Sequence, residues 1–191
     1  AADVAALTTA QVAAWRATQV AVLTTDQVVA LTTAQVRVLT SAQIVTLDTA
    51  QVAAIETADI AALQGTQLGA FKTEQVVALT TDQVVALTSA QITAVTAAGV
   101  AALTTEQVVA IESTDLAVLT SAQVPALTTA GVAPLPPDQV QALKTTQVAA
   151  LKTAQVVALT TEQVVALTTA QAKALTTAAV AALTTEQVAA I

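Results

Sequence analysis

The side chains that could do chemistry in this sequence are carboxylates, hydroxyls, amides and a few amines, because histidine and cysteine are absent. Without them no Ser-His-Asp or Cys-His set can form, no disulfide can close, and the commonest zinc ligands are missing. Carboxylates can still act as acid and base when two of them converge. The most suggestive set is Asp3, Asp59 and Asp115, which recur at 56-residue spacing, with Ile55-Glu56-Thr57-Ala58-Asp59 echoed by Ile111-Glu112-Ser113-Thr114-Asp115. That spacing reads as an older duplication or as a superhelical period, and Gln171 breaks the series. It gives no ground for bringing two carboxylates together. Neither a phosphate-binding G-x-x-x-x-G-K-[ST] loop nor an Asp-rich calcium loop occurs. No catalytic, metal-binding or cofactor-binding residue is therefore assigned, and no enzyme is expected.

The hydroxyls and amides carry a different chemistry. Leu23-Thr24-Thr25-Asp26-Gln27-Val28-Val29-Ala30 is followed by the same pattern from Leu31, and the period of eight runs without slippage from Leu7 to Ile191. The unit is L-T-T-x-Q-V-z-A. If the first Thr caps a helix, Gln falls at its third position, and T-x-x-Q is a capping box in which side chains and backbone N–H groups of the two residues satisfy each other. Thr24 and Gln27, Thr32 and Gln35, Thr80 and Gln83, and Thr160 and Gln163 are such pairs. Leu then precedes the cap and Val follows Gln, the two places a hydrophobic staple needs. Asp26, Glu74, Asp82, Glu106, Asp138, Glu162 and Glu186 all stand at x, in the first turn, where the positive helix end favours them. A shifted frame is open, since Arg16, Glu56, Gln64, Lys72, Glu112, Lys144 and Lys152 replace the first Thr while the next position keeps Thr or Ser more faithfully. The Gln amide has a second use open to it as well, bridging to an adjacent octad.

The element that must position these groups is a helix of about two turns. One continuous helix would rotate the apolar pattern by roughly 80° per octad, so Leu and Val would spiral around it. A two-stranded coiled coil does not accept a strict eight. The expected fold is all-α, a segmented short-helix octapeptide solenoid or superhelical rod; a β-solenoid is the alternative, supported by Val, Ile and Thr but not by any clean two-residue alternation. The expected core is the Leu and Val ladders, as in Leu7, Val12, Trp15, Val20, Leu23, Val28, Leu31, Val36, Leu39 and Phe71. Position z varies freely and reads as exposed or as a lateral contact. Residues 1–191 read as one continuous array of about 24 octapeptide repeats, an excerpt of a longer protein because neither end carries an atypical polar cap. Pro125, Pro134, Pro136 and Pro137 mark an irregular segment at 125–137.

Composition narrows the function classes. Charged residues are only 10% of the chain and the net charge is -7, with no basic cluster, which argues against nucleic acid as a partner. Polar Thr and Gln interrupt every apolar run, so transmembrane insertion is not expected. A single octad offers one Leu and one Val, whose burial does not offset the ordering of eight backbone residues. Octads must therefore pack on one another, and a surface this poor in charge extends the same logic to other copies.

The octad resembles the degenerate Leu-Thr-Thr/Pro-x-Gln-Val repeats of very large bacterial secreted or cell-surface proteins, over nearly the whole chain. That resemblance implies an extracellular or cell-surface location. Leu103-Thr104-Thr105-Glu106-Gln107-Val108-Val109-Ala110 also resembles the opening helix of transcription-activator-like effector repeats, but their second helix and base-reading loop have no counterpart here. The expected function is a non-enzymatic structural repeat: an extended scaffold, a spacer or a self-associating surface fibre. A repeat-based adhesion module with a protein or cell-surface partner is the alternative.

Overall fold

In the computed structural model, which describes residues 2–191, the octads fold as separate helices of four to six residues. No strand occurs among the described residues, so the chain is an all-α segmented array and the β-solenoid alternative falls away.

Each helix starts where a Thr or its substitute adopts an extended backbone, as Thr24 does at φ -73° and ψ 160°. It ends because the next Leu is extended too. Leu39 (φ -62°, ψ 134°) and Thr40 (φ -76°, ψ 158°) form such a two-residue corner. No non-glycine residue has positive φ, and no glycine does either among the described residues. A corner of this kind needs no left-handed terminator, which accounts for a repeat without glycine. The shifted frame is not adopted: the cap stays at the first position even where it is Arg16, Lys72, Lys144 or Lys152.

Two compact units are distinguished, 1–102 and 103–191. The first contains α1 (Ala2–Ala5), α2 (Thr9–Ala13), α3 (Ala17–Val20), α4 (Thr25–Val29), α5 (Thr33–Val38), α6 (Ser41–Ile44), α7 (Thr49–Ala54), α8 (Thr57–Ala62), α9 (Gly65–Leu68), α10 (Thr73–Val77), α11 (Thr81–Val85), α12 (Ser89–Ala94) and α13 (Ala97–Ala102). Within it α5 packs on α2, α7 on α4, α8 on α5, α10 on α7 and α13 on α10. Every such pair is three octads apart, so 24 residues make one coil. Asp3, Asp59 and Asp115 are thus not spaced by a whole number of coils, which removes the superhelical-period reading of their interval.

The second unit contains α14 (Thr105–Ala110), α15 (Ser113–Leu116), a 3-10 turn at Val124–Ala126, α16 (Thr129–Val132), α17 (Pro137–Ala142), α18 (Thr145–Ala150), α19 (Thr153–Val157), α20 (Thr161–Ala166), α21 (Thr169–Ala174), α22 (Thr177–Ala181) and α23 (Thr185–Ala189). The same three-octad packing joins α17 to α20, α18 to α21 and α20 to α23. Its irregular stretch has a local cause. Pro125 supplies no N–H where another octad would continue an α-helix, and a 3-10 turn forms in its place. Pro134 lies just past the C-cap Ala133 of α16, where it cannot continue the helix.

The Val and Leu ladders fill each unit. Val12, Val20, Ile44, Ile60 and Leu116 have no more than 1% of their surface exposed, and Val28, Leu31, Val36, Leu39 and Phe71 are also buried. Leu7, Trp15 and Leu23, in the first three octads, are half-buried. Position z faces outward, with Val29, Val77, Val85, Val157 and Val165 exposed. At Gly69 there is no room for a side chain: a Cβ would lie 2.9 Å from the Ala94 carbonyl oxygen.

Truncating Ile60 to Ala should cost about 2–5 kcal/mol. The same truncation at the exposed Val85 should change stability by no more than about 0.5 kcal/mol. Urea unfolding of the two variants against the parent chain measures the contrast.

Candidate functional site

A helix of six residues leaves most of its backbone groups without an internal partner, since the first four N–H and last four C=O groups of any helix lack one. One side chain per octad supplies what is missing. Gln75, third residue of α10, accepts the backbone N–H of Lys72 on Oε1 at 2.9 Å. Its Nε2 donates both hydrogens away from its own octad, to the carbonyls of Ile44 at 2.9 Å and Leu47 at 2.8 Å. Ile44 ends α6 and Leu47 lies in the corner that leads into α7, the helix on which α10 is stacked. A single amide thereby closes the start of one helix and the end of another, with its one acceptor and both donors engaged.

The pattern repeats within each unit. In the first, Gln67 reaches Val36 and Leu39, Gln83 reaches Val52 and Ile55, and Gln91 reaches Ile60 and Leu63, all between 2.6 and 3.0 Å. In the second, Gln147 reaches Leu116 and Leu119, and Gln155 reaches Val124 and Leu127. The partners lie 28 and 31 residues back along the chain. An amide bridge to the adjacent octad is therefore not what forms; the bridge crosses to the coil below.

The capping pairs are placed as follows. Thr24 Oγ1 accepts the Gln27 N–H at 3.2 Å, while the Thr24 N–H donates to Gln27 Oε1 at 2.8 Å. The same two bonds measure 3.4 and 2.8 Å for Thr32 and Gln35, 3.1 and 2.9 Å for Thr80 and Gln83, and 3.2 and 2.8 Å for Thr160 and Gln163. Lysine and arginine caps have no side-chain acceptor, so at Arg16, Lys72, Lys144 and Lys152 only the Gln half of the box remains. Acidic residues at x lie at the helix start. Glu186 is held below its usual range by its own backbone N–H, then by the Thr184 and Thr185 hydroxyls.

Three kinds of octad depart from the joint. At Gly99 and Gly131 the cap hydroxyl still accepts the backbone N–H, at 3.0 Å each, but no amide is present. Val76 closes over Gly99, where a Cβ would lie 3.3 Å from Val76 Cγ2 and 2.9 Å from Val95 Cγ1. Asp59 is buried at the Gln position with an acid in place of the amide. At Gln139 the residue is right and its cap is wrong. Its Nε2 reaches Val109 and Ile111. Its Oε1 is buried without a hydrogen-bond partner, because the cap is Pro136, which has no N–H to donate.

No group of three or more Asp or Glu residues able to hold a metal ion occurs among the described residues. A cavity of about 120 Å³, lined by Val164, Val165, Leu167, Ala172, Leu175, Ala190 and Ile191, presents only aliphatic side chains. No helix among the described residues is long and apolar enough to cross a membrane.

A family model described as the ALTTAQ repeat matches residues 1–33, 28–54, 52–89, 108–145 and 141–169. Repeats of this family occur in large bacterial secreted or cell-surface proteins, which gives an extracellular or cell-surface location. No curated protein matches the chain.

Replacing Gln75 by Leu strands the Lys72 N–H and two carbonyls, each buried polar group costing about 1–3 kcal/mol. The same change at the exposed Gln11, whose amide oxygen serves only its own cap, should cost about 0.5–2 kcal/mol. Denaturant midpoints of the two variants compare them. Conversely, Pro136→Thr should raise stability by about 1 kcal/mol, by giving Gln139 Oε1 its missing donor. Thermal unfolding of that variant is the check, and a midpoint at or below the parent's would count against the assignment.

Proposed function

The chain belongs to the ALTTAQ repeat family, and from that premise we propose that this non-enzymatic repeat scaffold acts as a surface spacer that lengthens by association with copies of itself. The observation that carries the reading is the chemistry of the joint. Gln offers the same two hydrogens in octad after octad, and what receives them is backbone, identical in every octad. Such a joint carries no information about which coil it meets. A coil from another copy, presented in register, satisfies it as well as a coil from the same chain.

In the isolated 191-residue chain, the molecule on which assembly is tested, groups suited to that contact are accessible. Gln11 and Gln19 are exposed and Gln27 is half-buried, and the hydrogen bonds of their amides are those of their oxygens with their own caps. Val180 and Val188, on the inward ladder, are 48% and 57% exposed. Apolar ladder residues and amide donors are the two ingredients of the internal joint. Adhesion to another surface protein is the second reading, favoured by the exposed Val29, Val77 and Val85 at position z.

The test uses light scattering and negative-stain electron microscopy of the purified chain over a range of concentrations. Assembly into fibres that grow with concentration is the expected result. A variant with Gln11, Gln19 and Gln27 all changed to Glu keeps three box acceptors and loses three donor pairs, so it should fold with unchanged helicity and assemble less. A parent chain that stays a compact monomer at every concentration removes the proposal. Capture by immobilised surface proteins that is lost when Val29, Val77 and Val85 become Ser would favour adhesion in its place.

A further inference from the structure

The internal joint has a direction. In each unit the amide belongs to the later coil and the carbonyls to the earlier one: Gln35 on Val4 and Leu7, Gln75 on Ile44 and Leu47, Gln171 on Val140 and Leu143, Gln187 on Val156 and Leu159. Any stretch of such an array therefore has two unlike faces, donors toward its N-terminal side and acceptors toward its C-terminal side. In the 191-residue chain the donor face carries Gln11, Gln19 and Gln27, whose oxygens hold their own caps. Asp3, at the fourth joint position there, has no hydrogen to give when ionised. The acceptor face carries the carbonyl pairs of Ala172 and Leu175, Val180 and Leu183, and Val188 and Ile191. Each pair stands where a glutamine one coil later would find its partners, 31 and 28 residues before it.

The apolar ladders divide in the same sense. On the donor face Leu7, Trp15 and Leu23 are half-buried while Val12 and Val20 are fully covered. On the acceptor face Ala172, Val180 and Val188 are exposed, beside the aliphatic hollow lined by Leu167, Leu175 and Ile191. Inside the array both ladders are buried, as at Val76 and Leu79.

We propose that copies of this chain join head to tail: the donor face of one seats on the acceptor face of the next, Gln11 on the carbonyls of Ala172 and Leu175, Gln19 on those of Val180 and Leu183, and Gln27 on those of Val188 and Ile191. The inference rests on the self-association reading and adds its polarity and register. Two donor faces set hydrogens against hydrogens and two acceptor faces set oxygens against oxygens, so neither like pair forms the joint. Both series step by one octad, and one register serves all three amides. The register one octad earlier lays the incoming α1 where α23 already lies, and the one later leaves Gln27 without acceptors. The contact also brings Leu7, Trp15 and Leu23 of one copy against the exposed Val180 and Val188 and the aliphatic hollow of the other. It is heterologous, each copy keeps one face free, and growth stays open-ended.

The test uses two whole chains, each disabled on one face. Changing Gln11, Gln19 and Gln27 to Glu keeps their cap acceptors and removes the donors. Val180→Lys with Val188→Lys charges the acceptor face at side chains that are already exposed. Circular dichroism establishes that each keeps the parent's helicity; Gln11→Glu alone and Val188→Lys alone, each expected to weaken assembly several-fold, replace a combined variant that loses it. In sedimentation velocity runs the parent is expected to lengthen with concentration, each disabled chain alone to stay monomeric, and the two mixed to form a 1:1 dimer that grows no further. Trp15, the only tryptophan, reports the face in use. With Trp15→Leu in the other chain, its emission should shift to the blue in the mixture when the Val→Lys chain carries it, and stay unshifted when the Gln→Glu chain does. A parent that stays monomeric removes the self-association reading and this proposal with it. A parent that assembles while either disabled chain alone assembles as far, or while the mixture stays monomeric, overturns the polarity and leaves self-association standing.

Discussion

Everything in this architecture depends on where the backbone polar groups of helices of four to six residues find partners. A long helix satisfies its interior and leaves only its ends to be capped. Here there is scarcely any interior: helices such as α5 and α10 are almost entirely first turn and last turn. Unpaired N–H and C=O groups in a packed array would cost more than the Leu and Val ladders could offset. The Gln amide meets that demand because it accepts on its oxygen while its nitrogen donates two hydrogens. Gln alone has the length to hold its own cap and a carbonyl pair in the next coil.

This dual duty accounts for residue choices that capping alone leaves open. A capping box accepts Glu as readily as Gln, yet no octad places Glu at the joint position, while Glu is common two steps from the cap, at x. A carboxylate at x meets backbone N–H groups and the positive end of the helix; one residue later it would meet carbonyl oxygens. Asp59 shows the consequence in a buried carboxyl whose protonation is favoured. Pro136 shows the complementary failure, where Gln139 is intact but the N–H it should receive does not exist. The two exceptions disturb opposite ends of the same amide.

The corner matters as much as the joint. Two extended residues, Leu and Thr, redirect the chain between helices without a left-handed residue, so the turn can be repeated in octad after octad without glycine. Because the octad never gains or loses a residue, Gln67, Gln75, Gln83, Gln91, Gln147 and Gln155 meet equivalent pairs of carbonyls one coil away. A surface protein assembled this way has no single pocket to evolve. What varies is z, which faces outward, and what stays constant is the backbone-directed joint.

The local half of this arrangement was legible before any coordinates. Thr24 and Gln27 are three residues apart, and a capping box is decided entirely within that interval, so its two bonds, the extended cap and the acid at Asp26 could all be read from the octad. The same holds for the burial of Val28 and the exposure of Val29, and for the disturbance at Pro125. The absence of Glu at the positions equivalent to Gln27 was a readable sign that the amide had a second partner. Which partner was not readable. Identical octads make every register look alike in a sequence, so nothing distinguishes a bridge to the next octad from one to Ile44 and Leu47, 31 and 28 residues before Gln75. That choice is made by the angle the Leu-Thr corners impose, accumulated over three octads until a helix returns above its predecessor. The sequence by itself determined the helix, its cap and its apolar face, because those are contests between neighbours in the chain; only the tertiary structure decided the coil of 24 residues and the carbonyls the amide holds, because those follow from corner geometry summed across the octads between.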